Sequence, residues 1–408
     1  MNKQYPSIKF GDFVEIQPIV KINKNTKYSF VPMESIIPGM KYVYPSDEKK
    51  YYGSGVKFKN DDIIFARITP CLEHGKIAIA RGLKKGKGFG STEYYIFRAK
   101  QNISDKDYVY YLSISPIIKE NAIVSMVGAS GRQRAQKDVI GKIIIKPPNY
   151  STQQKISSIL SNYDNLIDNN QRRIELLEEA ARLLYREWFV YFRFPGHENE
   201  KFTDGLPEGW KKEKLNKHII FKRGIEPGTE NYLENKEPFT QPFFRVSDLV
   251  SRNPEIFVDE LYIKDALLEK KDIVVSLDGS VGIVSMGLKG SYSSGIRKLI
   301  IKGDRVNRSF LYCLMKSHYI QGVIRAYSKG TTIQHAGESI KYMQPVLPSK
   351  ELMDKFGDIF EPVIDEILVL LDQNQKLAQA RDLLLPRLMS GKIDVSKIDK
   401  EKVLMYDN

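Results

Sequence analysis

The 408-residue chain has two cysteines, Cys71 and Cys313, far apart in sequence, with no CxxC and no zinc-type spacing. That excludes a disulfide framework and a cysteine metal site; a reduced cytoplasm is the expected setting, and each thiol reads as a small buried hydrophobe. No apolar run approaches the roughly 18 residues of a membrane span. The opening "MNKQYPSIKFGDFVEI" has no continuous apolar core, so no signal peptide is expected. The five histidines, His74, His197, His218, His318 and His335, are scattered and HExxH is absent, which argues against a metal cluster.

Nucleotide and cofactor motifs are missing too. "GLKKGKGFG" has the wrong spacing for a phosphate loop and no Ser or Thr after Lys87. There is no Gly-rich cofactor loop after a strand. "YPSDEKK" (Tyr44–Lys50) faintly suggests a nuclease carboxylate–lysine pattern, but it reads as a turn-rich stretch with no partner strand. The nearest approach to catalysis is "IIIKPPNYSTQQKISSIL" (Ile143–Leu160). An amino-methyltransferase loop needs its polar side chain before the prolines, and here Asn149 follows them. The stretch reads better as a mechanical joint, in which Pro147 and Pro148 end a strand and Ser151 caps a helix.

Positive charge is abundant and uneven. The chain carries +13 overall, distributed as +12 over residues 1–150, −2 over 151–200, +7 over 201–350 and −4 over 351–408. Two long basic segments, each followed by a mildly acidic one, point to a polyanion touched twice.

The alternation reflects an internal repeat. "QPVLPSKELMDKFGDIF" (Gln344–Phe360) repeats the joint, with Ser349 as its cap; "DDIIFARI" (Asp61–Ile68) parallels "KDIVVSLD" (Lys271–Asp278), and "GSTEYYIF" (Gly90–Phe97) parallels "SSGIRKLI" (Ser293–Ile300). The offset stays near 200 residues. Each basic segment is rich in short β-type runs with a few helical patterns behind them, which implies a mixed, mainly antiparallel sheet.

After each joint the apolar period becomes helical. Ile156, Leu160, Tyr163, Ile167, Asn170, Ile174, Leu177, Ala181, Leu184 and Trp188 recur at alternating steps of four and three, as do Phe356, Phe360, Val363, Ile367, Leu370, Asn374, Leu377, Arg381, Leu384 and Leu388. Both are coiled-coil seams, the first about 50 Å long. Antiparallel pairing with Ile156 opposite Leu388 and Trp188 opposite Phe356 sets Asn170 against Asn374, a polar layer of the kind that fixes register. Arg381 then falls opposite Tyr163, and Pro362 is expected to kink the second helix. Such a pair would hold the two basic units at the ends of a fixed spacer.

Just before each joint lies a polar loop, "VGASGRQRAQKD" (Val127–Asp138) and "SKGTTIQHAGES" (Ser328–Ser339). Ser130 and Gly131 let the first backbone approach a ligand closely. Arg132, Gln133 and Arg134 in the first loop, and Thr331, Thr332, Gln334 and His335 in the second, are candidates for base edges, since Arg suits guanine and Gln suits adenine. Lys84, Lys85 and Lys87 are candidate phosphate contacts.

"NNQRRIELLEEAARLLYREWFVYFRFPG" (Asn169–Gly196), "NQKLAQARDLLLPRLMSGKIDV" (Asn374–Val395), "GASGRQR" and the proline joint together resemble type I restriction–modification specificity subunits over the whole chain. The resemblance implies an α+β protein with two globular target-recognition domains, 1–150 and 196–348, a central spacer helix at 151–195 and a C-terminal spacer helix and tail at 349–408. It implies a non-catalytic subunit that reads a bipartite target in double-stranded DNA, its half-sites about 10 bp apart centre to centre. It also implies docking of methyltransferase subunits, usually two, with S-adenosylmethionine, and of restriction subunits that use ATP and Mg, with no membrane involved. The helix faces around Arg172, Arg173, Glu178, Glu187, Arg381 and Arg387 are the expected partner surface. The alternatives are a coiled-coil interaction adaptor and a divergent methyltransferase or endonuclease.

Overall fold

β-Branched and aromatic residues form the strands of two compact units in a computed structural model that describes residues 5–330 and 334–395. The first unit comprises 1–170 and 373–408, the second 171–372, so each long helix contributes one part to each unit. In the first unit, Val14–Ile16, Tyr94–Ala99, Ile63–Ala66, Ile77–Ala80 and Tyr42–Val43 form a five-stranded sheet in that order, antiparallel except at its last pair. A second sheet has the order Asp47–Lys50, Lys27–Val31, Lys87–Gly90, Val56–Lys59, with a parallel central pair. Helices Lys106–Ile114 and Pro116–Val124 pack on the first sheet through Tyr108, Leu112 and Ile118 against Phe65, Ile77 and Phe97.

The second unit repeats this order. Ile219–Arg223, Ile296–Ile301, Ile273–Ser276 and Val284–Ser285 form its antiparallel sheet. Phe257–Asp259, Thr240–Phe244, Gly290–Tyr292 and Leu267–Leu268 form the other, again with a parallel central pair. The parallel neighbours approach so closely that only glycine fits: a Cβ on Gly90 would lie 2.2 Å from the Val31 carbonyl oxygen, and one on Gly290 2.4 Å from that of Pro242. Helices Arg308–Lys316 and His318–Ala326 complete the repeat.

The proline stretch is a joint. Ile144–Ile145 pairs with Ile8–Lys9, and after the prolines a helix runs from Tyr150 to Phe189. Its cap is Asn149, not Ser151: the Asn149 side chain accepts from the Thr152 amide at 2.9 Å. Buried Gln153 then ties the joint to the domain, donating to the Pro148 and Ile103 carbonyls and accepting from the Asp105 amide. In the second copy Ser349 does cap its helix, Lys350–Met389, accepting from the Leu352 amide at 3.3 Å. That helix continues unbroken through Pro362, whose ring is exposed, so the carbonyl left without its amide donor faces the solvent side. "DEKK" at Asp47–Lys50 is a strand rather than a loop. It is the edge of its sheet, and edge strands tolerate charge.

The helices pair in the expected register within each unit. In the first, Asn170 Nδ2 donates to Asn374 Oδ1 at 3.0 Å, and Ile156 and Leu160 share a core with Leu384 and Leu388. In the second, Ile174 packs on Ile367 and Leu370, and Trp188 meets Phe356 with ring centroids 5.9 Å apart. The seam arginine is not a defect: Arg381 passes Tyr163 and pairs with the next residue, Asp164, at 2.5 Å. A chain carrying Asn170→Cys and Asn374→Cys, with Cys71→Ser, should therefore crosslink internally under mild oxidation. Non-reducing electrophoresis and peptide mapping that found no 170–374 disulfide would rule out this register. Cys313 is buried, which pushes its thiol upward, whereas Cys71 is only half-buried.

Candidate nucleic-acid interface

In each unit the polar loop folds back onto the end of a central strand. In the first, Val127 and Arg134 exchange both backbone hydrogen bonds, and Arg134 also bridges Ile68. The Gln133 amide donates to Thr69 Oγ1, the Thr69 amide to the Gln133 carbonyl, and the Ala135 amide to the Arg67 carbonyl. Gly128 and Gly131 take positive φ (131° and 74°) to make the reversal, which leaves Ser130, Gly131 and Arg132 exposed at its tip.

In the second unit Gln334–His335 pairs with Asp278–Gly279, His335 bridges Lys329, and the Ala336 amide donates to the Leu277 carbonyl. Thr331 and Thr332 lie outside the described residues. "QRA" and "QHA" thus occupy equivalent places. Ala135 and Ala336 are fully buried and dock the loop, the basic residue pairs with the strand, and the glutamine precedes it. The Arg132, Gln133 and Gln334 side chains make no hydrogen bond among the described residues.

The Arg134 and His335 side chains are both engaged by carboxylates of their own unit. Arg134 holds Glu93 through Nε at 2.9 Å and Nη2 at 2.8 Å, and Arg67 joins the same carboxylate at 3.1 Å. The Arg134 hydrogen bonds, with Arg67 beside them, hold the Glu93 carboxyl below its usual range despite its partial burial. His335 Nδ1 lies 2.7 Å from Asp278 Oδ1, and Arg297 reaches the other Asp278 oxygen at 3.2 Å. Burial pushes the Arg297 guanidinium down, against the pull of Asp278.

The lysine cluster is elsewhere. Strand Ile77–Ala80 runs antiparallel to Ile63–Ala66, so the 84–87 turn leaves from the sheet end opposite the Arg67–Thr69 end that holds the loop. Lys84 pairs with Glu48 at 2.7 Å, Lys87 Nζ donates to the Lys21 carbonyl at 3.4 Å, and Lys85 is exposed at φ 56°. The structure does not bring these lysines and the loop together.

The expected partner residues divide. Arg172, Arg173 and Arg387 are exposed on their helices, Arg173 paired with Glu366 at 2.7 Å, and half-exposed Glu187 pairs with Arg193. Two are engaged within the fold instead, Glu178 half-buried and Arg381 buried. Glu178 accepts from the Tyr312 hydroxyl at 2.5 Å and Lys316 Nζ at 2.8 Å, and Arg381 is buried against Asp164. Among the described residues no group of His, Cys, Asp and Glu is placed to hold a metal ion, and no helix is long and apolar enough to cross a membrane.

Residues 2–179 and 207–378 match the family of the type I restriction modification DNA specificity domain, once per unit of the repeat. The chain belongs to that family. It is similar to the type I restriction enzyme MjaIX specificity subunit of Methanocaldococcus jannaschii, 28% identical over 353 residues that cover 81% of this chain and 78% of that protein. The HindI specificity subunit of Haemophilus influenzae is 22% identical over 377 residues, covering 74% and 81%. Among solved structures, the S subunit from M. genitalium matches at 17% identity with a TM-score of 0.46, over 95% of this chain and 97% of that one. The HsdS subunit from Thermoanaerobacter tengcongensis matches at 16% and 0.38, over 96% and 98%. As a member of the specificity family the chain is the non-catalytic recognition component of a type I system, and its repeated α+β units are its two target-recognition domains.

Proposed function

We propose that each target-recognition domain reads one half of a split site in double-stranded DNA, and that the chain delivers to that site two methyltransferase subunits that modify adenine. What supports the reading is the repeat: one fold used twice, each copy basic, with a Gln–basic–Ala loop docked at the equivalent strand end. A surface of that kind binds phosphates through its charge and bases through groups such as Gln133 and Gln334, which suit the N6 and N7 edge of adenine.

In this reading the chain itself holds no cofactor. S-adenosylmethionine belongs to the modification subunits, and ATP and Mg to the restriction subunits. Arg172, Arg173, Glu187 and Arg387 remain candidates for the docking surface, and Lys84, Lys85 and Lys87 for phosphate contacts away from the loop. The cytoplasm, where the DNA is, is the compartment. DNA from cells carrying the modification subunit with and without this chain should show, by modified-base sequencing, a split adenine-methylated motif only when the chain is present. Its absence despite soluble, assembled complex would overturn the reading.

A further inference from the structure

The two loops are pinned by carboxylates that the repeat does not relate. Glu93 comes from the turn before strand Tyr94–Ala99, where the second unit has Gly295. Asp278 comes from the end of the strand run equivalent to "DDIIFARI", where the first unit has Ile68. Each acid nonetheless grips the basic residue of the Gln–basic–Ala triplet, and each is also held by an arginine from elsewhere in its own unit, Arg67 or Arg297. A carboxylate that accepts from two donors is held in one place. His335 therefore donates from Nδ1, and Arg134 is fixed in plane by a two-point contact.

We infer that Glu93 and Asp278 are positioning residues for target recognition: each holds its own domain's loop in shape and so governs the fidelity of one half-site and not the other. The inference rests on the reading that these loops face DNA. It reassigns Arg134 and His335 from base contacts to clasps, and leaves the outward work to Gln133, Gln334 and the exposed Ser130, Gly131 and Arg132 of the first loop. Glu93→Gln and Asp278→Asn keep size and remove the negative charge that accepts from both partners of each clasp.

The test uses the full chain assembled with its modification subunits, and measures binding to duplexes carrying the cognate site or base changes in one half. Glu93→Gln should lower discrimination against changes in one half by about ten-fold and leave the other half untouched; Asp278→Asn should do the same for the opposite half. The unaffected half is the internal control for folding. Arg134→Ala should match Glu93→Gln, and the double variant should be no worse than either single one, because both remove the same clasp. Equal loss in both halves, no loss in either, or a far larger loss for Arg134→Ala than for Glu93→Gln would overturn the assignment. A wild-type complex that discriminates in neither half would instead overturn the functional reading on which it rests.

Discussion

Replacing Arg381 by Ala should destabilise the first unit by about 3–5 kcal/mol, the range for removing one partner of a buried ion pair. Arg381 is 4% exposed. Its Nη1 lies 2.5 Å from Asp164 Oδ1 and 2.9 Å from the Gly39 carbonyl oxygen, and Nε donates to Asp382. The Tyr111 hydroxyl donates to the other Asp164 oxygen at 2.5 Å. Beside this pair the fully buried Lys41 ammonium meets Asp107 at 2.7 Å and Ser161 Oγ at 2.6 Å. Tyr42 and Tyr44 continue the line along the helix, donating to Asn165 and Asp168.

Burial alone would push the Arg381 guanidinium down, but Asp164 and its neighbours outweigh burial and the net shift is upward, so this group stays charged at any working pH. Removing it leaves Asp164 buried with a tyrosine for company and no cation. Asp164→Leu with Arg381→Met should therefore be less damaging than Arg381→Ala, because the pair is removed together with its desolvation cost. Hydrogen exchange under increasing urea, read separately in peptides from 5–170 and 373–395, measures both; a loss under about 1 kcal/mol for Arg381→Ala would contradict the argument.

This pair also marks the limit of what periodicity reveals. Runs of β-branched and aromatic residues located the strands at Lys27–Val31, Ile63–Ala66, Tyr94–Ala99 and Ile273–Ser276, and the seam pattern placed Asn170 on Asn374 and Trp188 on Phe356. Those features repeat along the chain and so are visible in it. A charge on a seam is ambiguous by the same logic. Arg381 reads as an exposed partner residue because its acid, Asp164, sits one place off the seam it faces. The helix cap shows the same limit. Asn149 and Ser151 are both good caps, and only the backbone path after the prolines decides between them. Asp47–Lys50 carries no alternation, so nothing in its four charged residues announces an edge strand. Least legible are Glu93 and Asp278, since two non-equivalent acids performing one task leave no trace in a repeat alignment.

The second unit secures its helix ends by a different chemistry, and the largest loss expected there is from Phe356→Ala, about 3–5 kcal/mol for an aromatic ring removed from a core that cannot collapse around it. Phe356 is fully buried. Its ring lies 5.1 Å from Phe189, 5.9 Å from Trp188, 6.4 Å from Tyr185 and 5.9 Å from Phe360, centroid to centroid, mostly edge to face. Such pairs gain from the ring quadrupole beyond the area they bury. The matching positions of the first unit are Ile156 and Leu160, aliphatic residues that share a unit with the buried Arg381–Asp164 and Lys41–Asp107 pairs. One repeat thus seats its helices beside desolvated charge and the other among edge-to-face rings. Phe356→Leu separates the two contributions, because it keeps most of the apolar volume and loses the ring geometry. It should lose about 1–2 kcal/mol, well short of the alanine variant. The same urea-dependent exchange, read in peptides from 171–372, supplies the comparison. If leucine were as damaging as alanine, ring geometry rather than filled volume would hold this seat; if both were mild, Trp188 and Phe189 would be closing the cavity, and Trp188→Ala in the Phe356→Ala background should then cost more than the two single losses combined.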